Sequence, residues 1–168
     1  MAVTEPSTEI SAPKELLLGQ LRYLRAALLE KLAGLSDDTL RHSTLPSGWS
    51  PLELLKHLAY VERRWMRWGF LAEPVPEPWG DNDPATFRWA LAPGDTLESL
   101  TSLLTEQADR TEQIAGAAEL TDRGRVGGRF EAEPPTLGWI LLHLVQEYAR
   151  HVGHLDVVRE LIDGHTGE

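Results

Sequence analysis

Hydrophobic residues recur at intervals of three and four positions in four separate segments of the chain, a spacing that predicts amphipathic helices. The first segment begins at Pro13 and ends before Gly34, and the second begins at Pro51 and reaches Trp68. The third begins near residue 97 and frays near residues 116–120, and the fourth covers residues 137–163. No segment alternates hydrophobic and polar residues as a strand would, so the pattern predicts an all-α fold.

Local capping signals support two of these helix boundaries. Ser50, Pro51 and Glu53 form the sequence of a capping box with proline at the first helical position, which predicts a well-defined start for the second helix. Gly164 follows the last periodic residue of the fourth helix and predicts its end. These signals place the two helices that carry most of the candidate chemistry.

The connections between the helices predict how the helices are arranged. Residues 73–95 are rich in Pro, Gly and Asp and predict a long crossover between the second and third helices, with a short helical turn near residues 85–91. Residues 121–136 predict a second loop. We therefore expect a four-helix bundle in a single domain over residues 11–164, with a flexible N-terminus at 1–10 and a tail at 165–168.

Composition narrows the classes of partner and site. A formal charge of −10 and a pI near 5.0 disfavour nucleic acid. The chain has no cysteine, which excludes disulfides, thiolate metal ligands and a cysteine nucleophile, so any metal must use nitrogen and oxygen ligands. Neither a leader sequence nor an apolar stretch of membrane-spanning length is recognisable, and we expect a cytoplasmic protein without membrane contact.

The fourth helix concentrates imidazole and carboxylate groups on one stripe. On a helical wheel of 100° per residue, His143, Glu147, His151 and His154 lie within about 80° of one another. Glu147 and His151 fall at the edge of the apolar face, whereas His143 and His154 fall nearer the water. A carboxylate and an imidazole at positions i and i+4 converge on one point, as helical metal ligands do.

A third ligand is available from the second helix. His57 lies beside the apolar stripe of that helix, where an unpaired imidazole would be costly. Together His57, Glu147 and His151 would leave an open position on a cation, as catalytic metal sites do. The alternatives are a solvated Glu147–His151 pair with a hydrogen-bonded core His57, or a ligand pair formed by His151 and His154.

The motifs of two other kinds of metal site are absent from the sequence. The di-iron bundle pattern is absent because Arg150 occupies the third position after Glu147, and no HExxH motif is present. His42 and His165 fall in predicted loops and carry no expected role. Arginines at positions 63, 64 and 67 are expected to be solvated, with attraction of an anionic substrate as the alternative. Trp79 and Trp89 can line either the pocket or a dimer contact.

Two stretches carry a family resemblance. "GWSPLELLKHLAYVERRW" and "GWILLHLVQEYARHVGHLDVVRELIDG" resemble the DinB/YfiT-like four-helix-bundle superfamily, and more narrowly its actinobacterial mini-circle-protein group near the mycothiol-dependent transferases. The resemblance implies a bundle that holds a divalent metal, zinc or nickel, through His57, Glu147 and His151. Histidine is commoner in the family at the position of Glu147, and the mycothiol-dependent maleylpyruvate isomerase branch is similar in using glutamate there.

The resemblance also implies an activity. It predicts a metal-dependent transferase that uses mycothiol or a similar low-molecular-weight thiol and an electrophilic second substrate. His154 is our candidate for a catalytic residue that supports a ligand or moves a proton. The sequence leaves open whether the chain forms a homodimer. The alternative functions are a metal-dependent hydrolase with the same ligands, and a non-enzymatic bundle that binds a metal or a small molecule.

Overall fold

Four long helices and one short helix form the regular structure of residues 3–166, the part of the chain that the computed structural model describes. The predictions made for residues 1–2 and 167–168 as loose ends lie outside these residues. The helices are α1 (Pro13–Leu32), α2 (Asp37–Arg41), α3 (Pro51–Glu62), which continues into a π-helical segment (Arg63–Phe70), α4 (Leu97–Gly116) and α5 (Leu137–Asp163).

The four long helices pack as a bundle, which confirms the predicted all-α class. α1 packs against α5 and α4, and α3 packs against the same two helices, so α1 and α3 lie across the diagonal of the bundle. Leucine supplies most of the buried core, and Leu21, Leu58 and Leu144 are fully buried examples from three different helices. No helix of residues 3–166 is long and apolar enough to span a lipid bilayer.

The predicted boundaries of α3 and α5 are confirmed. Ser50 Oγ accepts from the backbone N–H of Glu53, and the Glu53 carboxylate accepts from the backbone N–H of Ser50. Gly164 ends α5 in the left-handed conformation, with a φ of 75°. The capping box positions the helix that carries His57, and the long uninterrupted α5 holds Glu147 and His151 one turn apart.

The π-helical segment changes the face that the following residues present. Its backbone hydrogen bonds span five residues, so residues after Glu62 do not continue the α-helical stripe. Arg63 and Arg64 are consequently buried, with 9% and 3% of their surface exposed, and the expectation that they are solvated is wrong. Arg64 instead reaches the loop after the segment, whereas Arg67 pairs with Glu73 at 2.7 Å.

The connections differ from the predictions in two details. A short helix, α2, interrupts the first connection, and its Ser36 cap was not recognised in the sequence. Residues 71–96 form the predicted long connection, and the helical turn expected near residues 85–91 is limited to one hydrogen-bonded turn at residues 83–87, where the Phe87 N–H donates to Asp83 O at 2.9 Å. The Asp83 side chain accepts from the backbone N–H groups of Ala85 and Thr86, and this local turn brings Trp89 back beside Asn82 in an isolated antiparallel bridge.

A buried carboxylate joins all four long helices at the bundle centre. Glu62 of α3 is fully buried and accepts two hydrogen bonds from Arg25 of α1, at 2.7 and 2.9 Å. It also accepts from Thr111 of α4 at 2.7 Å and from the phenol of Tyr148 of α5 at 2.6 Å. Burial raises the pKa of Tyr148 well above its usual value, so the phenol keeps the proton that it donates.

Candidate metal centre

Three side chains that the sequence places far apart converge between α3 and α5. His57, Glu147 and His151 each offer one ligand atom, and these atoms all lie within 4.8 Å of one another. His57 and Glu147 are half-buried, and His151 is buried. The predicted trio is therefore brought together by the fold, with two imidazoles and one carboxylate facing one point.

The loop after the π-helical segment orients His57. The carboxylate of Asp81 lies 2.9 Å from His57 Nδ1 and is itself fully buried. Asp81 also accepts from both terminal nitrogens of Arg64, at 2.5 and 3.1 Å. Burial alone would raise the pKa of Asp81, but its hydrogen bonds with His57 and Arg64 outweigh burial and lower it. The ionised Asp81 therefore holds the proton of His57 on Nδ1 and leaves Nε2 free to bind a cation.

A tryptophan from the same loop closes one side of the site. Trp89 stacks on the His57 ring with 4.2 Å between centroids and an interplanar angle of 24°. The edge of Trp89 also meets His151, at 5.2 Å between centroids. Of the two alternatives predicted for Trp89, the structure thus places it on the wall of the site.

His151 provides a test of whether the trio suits a cation. Its Nδ1 is buried and has no hydrogen-bond partner among the described residues, although its Nε2 lies 3.4 Å from Glu147. A buried polar atom without a partner costs about 1–3 kcal/mol. Nε2 is the nitrogen that faces Glu147 and is positioned to share a cation with that carboxylate, so a cation there would not supply the missing partner of Nδ1. The fit to a cation rests on the donor set, because two imidazoles and one carboxylate are ligands that zinc uses in catalytic sites.

The Glu147 carboxylate lies between two imidazoles of its own helix. Its oxygens are 3.3 Å from His143 Nε2 and 3.4 Å from His151 Nε2. The close His151 imidazole is the main reason why the pKa of Glu147 is lowered, and this effect outweighs burial. Glu147 is thus held as a carboxylate, the form that binds metal.

The imidazole of His57 is kept neutral by its surroundings. Burial lowers the pKa of His57, and this effect outweighs the opposing attraction of Asp81. A neutral imidazole is the form that ligates a metal, whereas protonation would block it. His57 therefore stays neutral at pH values somewhat below those at which an ordinary histidine becomes charged.

The two outer histidines of α5 occupy different surroundings. His143, expected near the water, is only 23% exposed, because it stacks on Trp139 and contacts Trp65 at 4.4 Å between centroids. His154 is exposed as expected, and its ring centroid lies 5.5 Å from that of His151 and 6.4 Å from that of Trp49. Among the described residues, His154 does not belong to the group of converging ligand atoms.

Comparison with known protein families identifies the chain. The family model described as mycothiol-S-transferase matches residues 16–164, which include all five helices apart from the first turn of α1. The chain belongs to the mycothiol-S-transferase family. This result confirms the resemblance seen in the sequences of α3 and α5, and the converging trio thus lies in a chain of a family named for mycothiol S-transfer. A search of curated proteins gave no match.

The sequence did not indicate Asp81 as a residue of the site and left Trp89 between the pocket and a dimer contact. Both belong to the long connection, where no periodic pattern indicates which side chains turn inward. For Arg64 the sequence suggested a solvated charge or attraction of an anionic substrate, but not the pairing with Asp81. A usable signal was present, since a histidine beside an apolar stripe requires a polar partner and Asp81 is one of the few acidic residues in the nearest loop.

Proposed function

We propose that this member of the mycothiol-S-transferase family is a divalent-metal-dependent enzyme that transfers a low-molecular-weight thiol, mycothiol or a close analogue, to an electrophilic substrate. The observation that carries the proposal is the convergence of His57, Glu147 and His151, whose ligand atoms lie within 4.8 Å of one another. Zinc is the metal that this donor set favours, and nickel is the second candidate.

The bound ion would make a coordinated thiol or water more acidic. A divalent cation lowers the pKa of a thiol or water bound to it and so provides a nucleophile near neutral pH. In the overall reaction the thiol loses its proton, its sulfur forms a bond with the electrophilic carbon, and the leaving group departs with the electrons of the broken bond. Two neutral imidazoles and one carboxylate contribute a net charge of −1, so the loaded site keeps a positive charge that attracts a thiolate.

The protein residues hold and surround the reacting groups. Asp81 fixes the ring of His57, and Trp89 covers the ring from one side. A cavity of about 360 Å³ lies beside the opposite part of the trio, lined by His143, Gln146, Glu147 and Arg150. This space would admit a small substrate to the carboxylate side of the site.

The experiment that tests the function uses the metal-loaded protein with mycothiol and a chromogenic electrophile such as 1-chloro-2,4-dinitrobenzene. We expect formation of the thioether at a rate above the uncatalysed reaction of thiol with electrophile only when metal and protein are both present. Release of a product from an ester substrate without thiol would favour the hydrolase, which shares the ligands. Stoichiometric metal without turnover of any thiol with a panel of electrophiles would instead favour a non-enzymatic binding module.

Asp81→Asn is expected to weaken zinc binding by about tenfold to a hundredfold, because the ring of His57 loses its charged partner. Chelator competition on the folded variant measures this affinity. Asp83→Asn is the matched control, since Asp83 lies in the same loop but bonds only to the loop itself among the contacts described. Equal zinc affinity in wild type and Asp81→Asn would remove the positioning role of Asp81.

His154→Ala is expected to lower the rate of thiol transfer about tenfold while leaving the metal content unchanged, because general acid–base groups contribute at least that much. His154 lies beside His151 in contact with solvent, and burial together with the neighbouring His151 lowers its pKa, so it is a neutral proton acceptor near pH 7. His165→Ala provides a control at an exposed histidine beyond the end of α5. An unchanged rate in His154→Ala would show that His154 has no catalytic role.

A further inference from the structure

The loop of residues 124–130 is hydrogen-bonded to the π-helical segment and packs against it. The backbone N–H of Arg125 donates to Phe70 O at 2.8 Å, and that of Arg129 donates to Trp68 O at 3.1 Å. Gly128 packs so closely that a Cβ at this position would lie 2.6 Å from the Cα of Ala72. Only glycine fits there, and the loop therefore holds Arg129 in a defined place.

Aromatic rings surround the guanidinium of Arg129. Its central carbon lies 4.4 Å from the ring centroid of Trp65, 5.4 Å from that of Trp79 and 5.9 Å from those of Trp68 and Phe130. Stacking of this kind holds the plane of the guanidinium while its N–H donors stay available at the edge.

Arg129 has no acidic partner among residues 3–166. Its Nη1 is buried and makes no hydrogen bond, and no carboxylate lies within salt-bridge distance of its guanidinium. Arg64, which stacks on Trp79 at 4.4 Å, differs because it is paired with Asp81. Burial, together with the charge of Arg64, lowers the pKa of Arg129. An unpaired cation in this position is unexpected in a chain of net charge −10.

The unpaired guanidinium lies next to the candidate metal centre. The Trp65 ring centroid lies 4.4 Å from the guanidinium carbon of Arg129 and 4.4 Å from the ring centroid of His143. His143 in turn lies 3.3 Å from Glu147. Arg129 is therefore separated from a predicted ligand by one indole and one imidazole, and the aromatic wall between them suits the body of a small organic molecule.

We propose that Arg129 binds the carboxylate of a small organic substrate and thereby directs the rest of that molecule along Trp65 towards the metal centre. The catalytic consequence of this role rests on the proposed transferase function. Binding of the carboxylate itself does not require turnover. Hydrogen bonds from the guanidinium to a carboxylate neutralise the unpaired charge. The carboxylate belongs to the electrophile, because mycothiol holds its cysteine in amide bonds and carries no carboxylate.

Binding of benzoate tests the site without catalysis. Benzoate is titrated into metal-free and zinc-loaded protein while tryptophan fluorescence and heat are recorded, with benzamide as the neutral probe of the same shape. We expect Arg129→Met to bind benzoate at least about tenfold more weakly than wild type in both forms, the effect of losing charged hydrogen bonds. Benzamide binding should be equal in both proteins.

Two further variants keep the result interpretable. Arg125→Met removes an exposed arginine from the same loop and should bind benzoate like wild type. Arg129→Lys keeps the charge but loses the planar pair of donors, so we expect it to bind benzoate with intermediate affinity. This variant tests the site even if Arg129→Met unfolds. Equal benzoate binding by wild type, Arg129→Lys and Arg129→Met overturns the proposal, as does equal weakening by Arg125→Met.

Kinetics then test whether the carboxylate belongs to the electrophile. In the zinc-loaded enzyme, Arg129→Met should raise KM about tenfold for a carboxylate-bearing electrophile such as 4-chloro-3,5-dinitrobenzoate but not for its neutral parent. A higher KM for an acidic thiol instead assigns the carboxylate to the thiol. If no thiol transfer occurs at all while benzoate binding still depends on Arg129, the transferase function fails and the carboxylate site stands.

Discussion

Replacing His57 with alanine is expected to reduce zinc affinity by at least about a hundredfold and to abolish measurable thiol transfer. The estimate exceeds the tenfold to hundredfold loss typical of removing a residue that only orients a ligand, because His57 is itself one of three ligands. The variant would leave Glu147 and His151, two ligands one turn apart on the same helix, without a donor from α3. Chelator competition and the transferase assay measure the two losses.

A matched histidine variant separates this effect from general damage. His42 is 73% exposed, and its ring contacts Asp38 at the end of α2. His42→Ala should keep the zinc affinity and transfer rate of the wild type. Zinc binding of equal strength in His57→Ala and wild type would show that α3 does not contribute to the site.

Replacing Glu62 with alanine is expected to destabilise the fold by about 3–5 kcal/mol, since it leaves the Arg25 guanidinium buried without its counter-charge. Arg25 is 7% exposed, and two other donors, on Thr111 and Tyr148, would also lose their acceptor. For a chain of this length such a loss lowers Tm by roughly 6–20 °C. Denaturant unfolding and thermal melts monitored by circular dichroism give both quantities.

A double variant and an exposed pair identify the cause of that loss. Arg25→Met combined with Glu62→Gln removes both charges and keeps one carbonyl acceptor, while the second hydroxyl can accept from the amide N–H, so it should recover most of the stability. Arg22→Ala breaks the exposed pair of Arg22 with Glu112, which has similar geometry, and should cost at most about 1 kcal/mol. Similar losses in Glu62→Ala and Arg22→Ala would contradict a special role for burial.

The features with helical periodicity could be predicted from the sequence. Glu147 and His151 lie one turn apart at the edge of the apolar face of α5, and their convergence follows from helix geometry once α5 is recognised. His57 follows from its place beside the stripe of α3, which the Ser50 capping box positions. The bundle itself follows from four amphipathic segments that must bury their apolar faces together.

The positions of the residues that complete the site could not be predicted, because they depend on irregular backbone, and the sequence left Trp89 between the pocket and a dimer contact. Asp81 and Trp89 are positioned by turns in the connection of residues 71–96, where side-chain direction has no period. The burial of Arg64 depends on the π-helical segment, whose five-residue hydrogen bonds shift the register that an α-helical pattern assumes. The burial of Glu62 depends on partners from three other helices, none of which is visible in its own segment.

Metal content is the measurement that tests the central claim most directly. Protein purified without an affinity tag, stripped with a chelator and titrated with zinc should bind one ion per chain. The same titration of Glu147→Ala and His151→Ala should show no stoichiometric binding. Wild-type protein that takes up neither zinc nor nickel stoichiometrically, or variants that bind as the wild type does, would contradict a metal centre formed by His57, Glu147 and His151.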